Sequence, residues 1–299
     1  MSSPATDASR AGGVIYDIGY RHYEGERRGR LAVVAALYWQ GVRTIFGIGR
    51  GERAKLVPLG LFAISLLPAI MQAGVTGIAG NAANLVPHDR YFVMTSVLIA
   101  LFCAAQAPEL MGGDRQQRVL TLYFSRAVRR IDYVLARWLS LVSSLFVIMI
   151  IPQLVIFIAR NMVDPDPWAA FAGDAHVLLP IAGSAFLIAL LLGGLAVLLA
   201  SLVPRRIYAT AAIIGVLLAS TAVSAAVVSL DRERFGHAVL ASPLLTSEGV
   251  AIWMFDAVPR PRSIHGRASL EPRTYGLGAG AIALGALMLV VGVYRRVET

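Results

Sequence analysis

Six long stretches, 56–75, 91–108, 139–159, 177–203, 207–230 and 275–294, contain no Asp, Glu, Lys, Arg or His. Each reaches or approaches the roughly 20 residues that cross a hydrocarbon core about 30 Å thick as a helix. Within a bilayer every backbone N–H and C=O must be paired inside the protein, which leaves only helices or a closed barrel. A barrel would need alternating segments of about ten residues, and the continuous runs contradict that pattern. Of the 299 residues 57% are hydrophobic and 15% charged, with a mean hydropathy of +0.67. A water-soluble domain carries far more charge than this. The expected fold is therefore an all-α integral membrane protein with six transmembrane helices.

The charges are few, and their placement orients the chain. The 27 basic residues are 26 arginines and the single Lys55, for a formal charge of +9. Nineteen of them fall before the first run, between the second and third, at Arg205 and Arg206, and after the last run. The remaining eight are spread over the three other connections. Basic residues in short loops mark the cytoplasmic side, so both termini and the arginine-rich connection are expected there. Distribution by side of a membrane also accounts for the basic balance without nucleic acid, and many of these arginines would simply meet lipid headgroups. The high ratio of arginine to lysine hints at a bacterial genome rich in G and C.

Residues 1–30 form a polar cytoplasmic segment, of which 1–13 are expected to be disordered and 16–30 are dense in tyrosine and arginine. No cleavable signal is expected, and the first span would direct insertion. Residues 31–54 read as an interfacial amphipathic helix: an apolar stretch with Tyr38 and Trp39 at its middle, broken by Gly47, Gly49 and Gly51. The six-span domain occupies 55–299. Spans four and five are joined at 204–206, which requires a tight antiparallel hairpin, and their Gly193, Gly194, Ala219, Ser220 and Ala222 would permit close approach. Gly276 and Gly280 have the spacing of a helix-packing face. The long connection 231–274 tempts a seventh span at 238–258, but Glu248 and Asp256 would each cost about 2.5–3.5 kcal/mol at membrane depth. One or two short helices dipping into the outer leaflet, with Trp253 and Phe255 at the interface, fit better.

The most informative connection is 114–138, DRQQRVLTLYFSRAVRRIDYVLARW, with six arginines against two aspartates. It reads as a short helix at 118–124, a basic break at 125–130, and a second helix on which Ile131, Val134, Leu135 and Trp138 form an apolar stripe. A stiff basic element on a membrane surface suits docking. Other chemistry is missing from the chain. There is no GxxxxGK[ST] phosphate loop, so ATP is not bound by that route. GxSxG and HExxH are absent too, and His22, His88, His176, His237 and His265 are scattered without metal-ligand spacing. The lone Cys103 lies in the second span, which excludes an intrachain disulfide. Coupled carriers usually place Asp, Glu or His at mid-membrane, and uncharged spans argue against that class. Energy for uphill transport would then have to enter through a cytoplasmic lever. A different class of reading is a multispan scaffold or sensor whose basic face recruits a cytoplasmic partner.

The passage 107–138, APELMGGDRQQRVLTLYFSRAVRRIDYVLARW, resembles the region of type-2 ABC exporter permeases where the second span ends and a cytoplasmic coupling helix leads into the third. The six-span layout, the N-terminal interfacial helix and SPLLTSEGVAIWMFD at 242–256, which looks like the short re-entrant external helices of that family, extend the resemblance over most of the chain. It implies a membrane-spanning permease that forms a substrate pathway and has no ATPase site of its own. ATP and Mg would be held by a separate ATP-binding cassette ATPase subunit, and a second permease copy or paralogue would complete a dimer in the bacterial plasma membrane. Carried over by position, Arg115, Arg118, Leu122, Tyr123 and Arg126 match the ATPase contact region. Ala127 stands where the family commonly has proline, and Asp114, Gln116 and Gln117 replace its usual acidic residues and glycine.

Overall fold

The structure, a computed structural model, describes residues 29–82, 85–116 and 129–295. Among them the regular elements are helical, and six helices are long and apolar enough to cross a membrane. In chain order the helices are α1 (Arg30–Ile45), α2 (Glu52–Ala79), α3 (His88–Gln116), α4 (Arg130–Met162), α5 (Pro167–Asp174), α6 (Leu178–Leu202), α7 (Arg206–Leu230), α8 (Arg232–Phe235), α9 (Pro243–Met254), α10 (Ile264–Ala268) and α11 (Pro272–Arg295). The membrane-crossing set is α2, α3, α4, α6, α7 and α11; each contains one of the expected runs except α6, which falls one residue short of 177–203 at either end. The polar N-terminal stretch lies outside the described residues up to residue 28.

Helices α3 and α4 outrun their apolar stretches at the basic end, because backbone pairing continues wherever no breaker intervenes. The 33 residues of α4 span about 50 Å. Boundaries follow local chemistry. Gly47 and Gly49, at φ +66° and +83°, turn the chain from α1 into α2. Asp166 Oδ1 accepts the Ala169 amide at 3.2 Å and Ser242 Oγ accepts that of Leu245 at 3.3 Å, capping α5 and α9 ahead of a proline.

The core lies between α3, α4 and α6, which bury more than half of their apolar windows, whereas α2, α7 and α11 bury less than a third. Phe102 and Cys103, Leu141, Leu145 and Met149, and Ile188, Leu191 and Leu192 form its centre. Glycine placement differs from the hairpin expectation. A Cβ on Gly193 would stand 3.1 Å from Val142, and one on Gly194 3.5 Å from the Ala283 carbonyl oxygen. These glycines admit α4 and α11 rather than α7, while Ala219 and Ala222 are exposed. α7 instead leans on α3, where Thr210 Oγ1 donates to the Ala104 carbonyl at 2.9 Å. Gly276 receives the Trp253 ring, and Gly280 faces open space.

The long connection forms no seventh span, as expected, but it goes deeper than a surface dip. Eight residues of α9, among them Leu244, Leu245, Thr246, Val250 and Ala251, are buried against α3, α6, α7 and α11. Its cap Ser242 meets Thr221 Oγ1 at 2.8 Å, more than two turns before the end of α7. Trp253 and Phe255 are half-buried, the latter stacked on His88 at 5.8 Å.

Candidate functional site at the basic end of the bundle

The segment singled out by its arginines is bounded by two described helix ends. Arg118, Leu122, Tyr123 and Arg126, and with them the expected contact helix 118–124 and most of the break 125–130, lie outside the described residues. The backbone of Arg115 falls in the last turn of α3, and its side chain lies outside the described residues. The described residues form a frame that holds both ends of this connection.

The first brace is on α4. Asp132 Oδ2 accepts the Arg129 amide at 3.2 Å, so the third residue of the helix reaches back to its cap. The same carboxylate takes both arms of Arg30, Nε to Oδ2 at 2.7 Å and Nη2 to Oδ1 at 2.6 Å. A planar guanidinium matches a carboxylate in this two-pronged way, which fixes direction as well as distance. That hydrogen bond is the main reason the Arg30 pKa is raised above its ordinary value.

From this anchor α1 runs beside α4 in constant register. Tyr38 OH donates to Ser143 Oγ at 2.9 Å, and Ser140 Oγ donates to the Tyr38 carbonyl at 2.9 Å. Gly41 faces Ser140 so closely that an added Cβ would stand 2.3 Å from its Oγ. Leu37, Gly41 and Ile45 form the buried side, whereas Leu31 and Trp39 are exposed. The helix expected at 31–54 thus exists over Arg30–Ile45 and is a packed member of the bundle.

The second brace is on α3. Glu109 receives Arg50, from the α1–α2 turn, and Arg206, the first residue of α7. One carboxylate joins three elements. A third contact closes the set, because Arg130 Nη1 donates to the carbonyl of Arg295 at 2.8 Å and ties the start of α4 to the end of α11. Cations near the last carbonyls of a helix also oppose its dipole favourably.

The stripe expected on the start of α4 is rotated. Val134 is buried, but Ile131 is exposed, and the inward side carries Asp132, Tyr133, Ala136 and Arg137. Arg137 is 2% exposed, with its guanidinium carbon 5.4 Å from the centre of the Tyr133 ring, and Tyr133 lies against Tyr294 at 5.6 Å. A period count that admits only apolar residues cannot find this face, because an arginine on an aromatic ring behaves as a packing group.

At the opposite end the structure brings together residues that look scattered in the sequence. His265 Nε2 lies 3.2 Å from Glu248 Oε2 and its Nδ1 3.1 Å from Tyr275 OH, linking α9, α10 and α11. A neutral ring satisfies both, with Nε2–H donating to the carboxylate and the tyrosine hydroxyl donating to Nδ1. His88 pairs with Gln153 of α4, whose Nε2 also donates to the His88 carbonyl at 3.0 Å. No group of three His, Cys, Asp or Glu residues suited to a metal ion occurs among the described residues. These contacts seal the end of the bundle by linking helices. The signal that could have revealed them is the acid Glu248 in an otherwise apolar stretch, since a half-buried carboxylate needs a partner. No protein-family model matches this chain, and no curated protein is significantly similar to it.

Proposed function

We propose that this chain is the membrane-spanning permease of an ATP-binding-cassette exporter, with the substrate pathway in the bundle and the energy supplied by a separate ATPase subunit. The observation that carries this reading is the pairing of apolar runs free of Asp, Glu, Lys, Arg and His with a basic end at which α1, α3, α4, α7 and α11 are joined by charged contacts. A push on the 117–128 connection would enter α3 and α4 together. The Glu109 and Asp132 braces would then pass it to α7 and α1. Such a frame converts a local contact into movement of several helices, which is what a lever driven by a partner requires.

In this reading Arg115, Arg118, Leu122, Tyr123 and Arg126 contact the ATPase. ATP and Mg belong to that partner, and a second permease copy or paralogue faces the lightly buried α2, α7 or α11. The basic end and both termini are cytoplasmic, α1 borders the inner surface of a bacterial plasma membrane, and the connection holding α9 faces outward. Support comes from the 107–138 resemblance and from the arginine count, which agree on the same end of the molecule. The double substitution Tyr123→Ala with Arg126→Ala should uncouple the ATPase while leaving membrane insertion intact. Collapse of the proton gradient with ATP maintained should leave transport running. Transport that stops with the gradient, or that ignores the double substitution, would sink the proposal.

A further inference from the structure

Around the Glu109 brace the basic end contains a cleft of about 330 Å³. It lies between the α1–α2 turn, the basic half of α3 and the start of α7, with Arg50, Arg53, Arg206, Glu109 and Gln106 in its wall. Its volume falls within the range of about 300–1,000 Å³ usual for small-molecule sites. Three guanidinium groups surround one carboxylate, so the cleft carries an excess of two positive charges. Glu109 occupies a single prong of Arg50 and of Arg206. Each guanidinium has five N–H donors, and most of theirs are left for another acceptor. Arg53 has no ion-pair partner among the described residues.

Gln106 is a second, independent pointer. It is 5% exposed, lines the cleft, and has no hydrogen-bond partner among the described residues. With no such partner, its amide N–H is open to a ligand with acceptor oxygens that enters the cleft. Ala54, Val57 and Ala105 add an apolar part to the lining. Beside it Leu56 on α2 and Ile207 on α7 are among the most exposed large apolar residues of the chain.

We infer that this cleft holds the phosphate headgroup of an anionic phospholipid, with Arg53, Arg50 and Arg206 on the phosphate oxygens, Gln106 donating its amide N–H, and the acyl chains lying along Leu56 and Ile207. The inference is independent of the exporter reading, since a lipid site on this end requires no ATPase. It also distinguishes the cleft from general headgroup attraction. A diffuse basic surface has no buried amide and no apolar lining.

The test uses the full-length chain purified in a neutral detergent, with binding of short-chain phosphatidylglycerol followed by native mass spectrometry and titration. Saturable binding is expected, with phosphatidylcholine and inorganic phosphate each at least tenfold weaker. Equal binding of phosphatidylcholine would overturn the charge assignment. Equal binding of inorganic phosphate would overturn the lipid assignment in favour of a free anion. Arg53→Gln, an exposed substitution that leaves packing untouched, should weaken phosphatidylglycerol about fivefold. Gln106→Leu should weaken it further, while Arg90→Gln at the other end should change nothing. Wild-type affinity in Arg53→Gln would overturn the site whether or not Gln106→Leu folds.

Discussion

Gly41→Ala tests the docking of α1 on α4 with the least ambiguity. The added Cβ would lie 2.3 Å from Ser140 Oγ and 2.7 Å from its Cβ, where ordinary contact begins at 3.4 Å. Ser140 is fully buried and cannot swing away. Relief therefore means withdrawing α1 by roughly 1 Å, which stretches the Ser140–Tyr38 and Tyr38–Ser143 hydrogen bonds together. Overpacking costs about 1–3 kcal/mol, a contact this short lies in the upper half of that range, and replacing glycine by alanine inside a helix returns about 1 kcal/mol. A net loss of about 1–2 kcal/mol corresponds to a roughly 5- to 30-fold larger open population of α1. Amide hydrogen exchange over residues 30–45 in detergent micelles reads that population. Ser140→Gly removes the colliding atoms, so the double variant should recover most of the protection although each single variant loses it. Unchanged exchange in Gly41→Ala, or a double variant as labile as the sum of the singles, would refute the contact.

Other consequences concern the opposite end and the core. Gln153→Leu strips two partners from His88 and should lower stability by about 1–2 kcal/mol, seen as a lower melting temperature in detergent. Gly249→Ala places a Cβ 2.1 Å from the buried Tyr275 ring, so α9 must separate from α11 and the tyrosine must leave His265. A loss of about 1–3 kcal/mol is expected, and an unaltered melting curve would contradict the wedge position of α9. Cys103 is the only cysteine and is fully buried, so a membrane-permeant maleimide should leave the native protein unlabelled and modify it only on unfolding.

The spans were legible because a long uncharged run has one physical solution in a bilayer, and the helices end within a few residues of the expected limits except where polar extensions prolong α2, α3 and α4. Partner choice was not. The small residues of spans four and five read as a hairpin seam, yet Gly193 serves Val142 on α4 and Gly194 serves α11. Close approach depends on the shape of the facing helix, which composition does not encode. The depth of α9 was missed because Glu248 and Asp256 looked too costly to bury. Glu248 is made tolerable by His265, brought from the far side of the same connection, and Asp256 stays exposed. At the candidate site the arginine excess marked the end of the molecule where the braces lie. The braces through Glu109 and Asp132 join residues 59 to 102 positions apart and have no local signature.

The central claim is that the basic end engages an ATPase. Affinity purification of the tagged full-length chain in mild detergent, with mass spectrometric identification of bound proteins, tests it most directly. The account predicts recovery of a subunit bearing a phosphate loop, in near-equal ratio to this chain, and its loss in the Tyr123→Ala with Arg126→Ala variant. Recovery of the chain without any ATPase, under conditions in which other membrane complexes survive intact, would contradict the account.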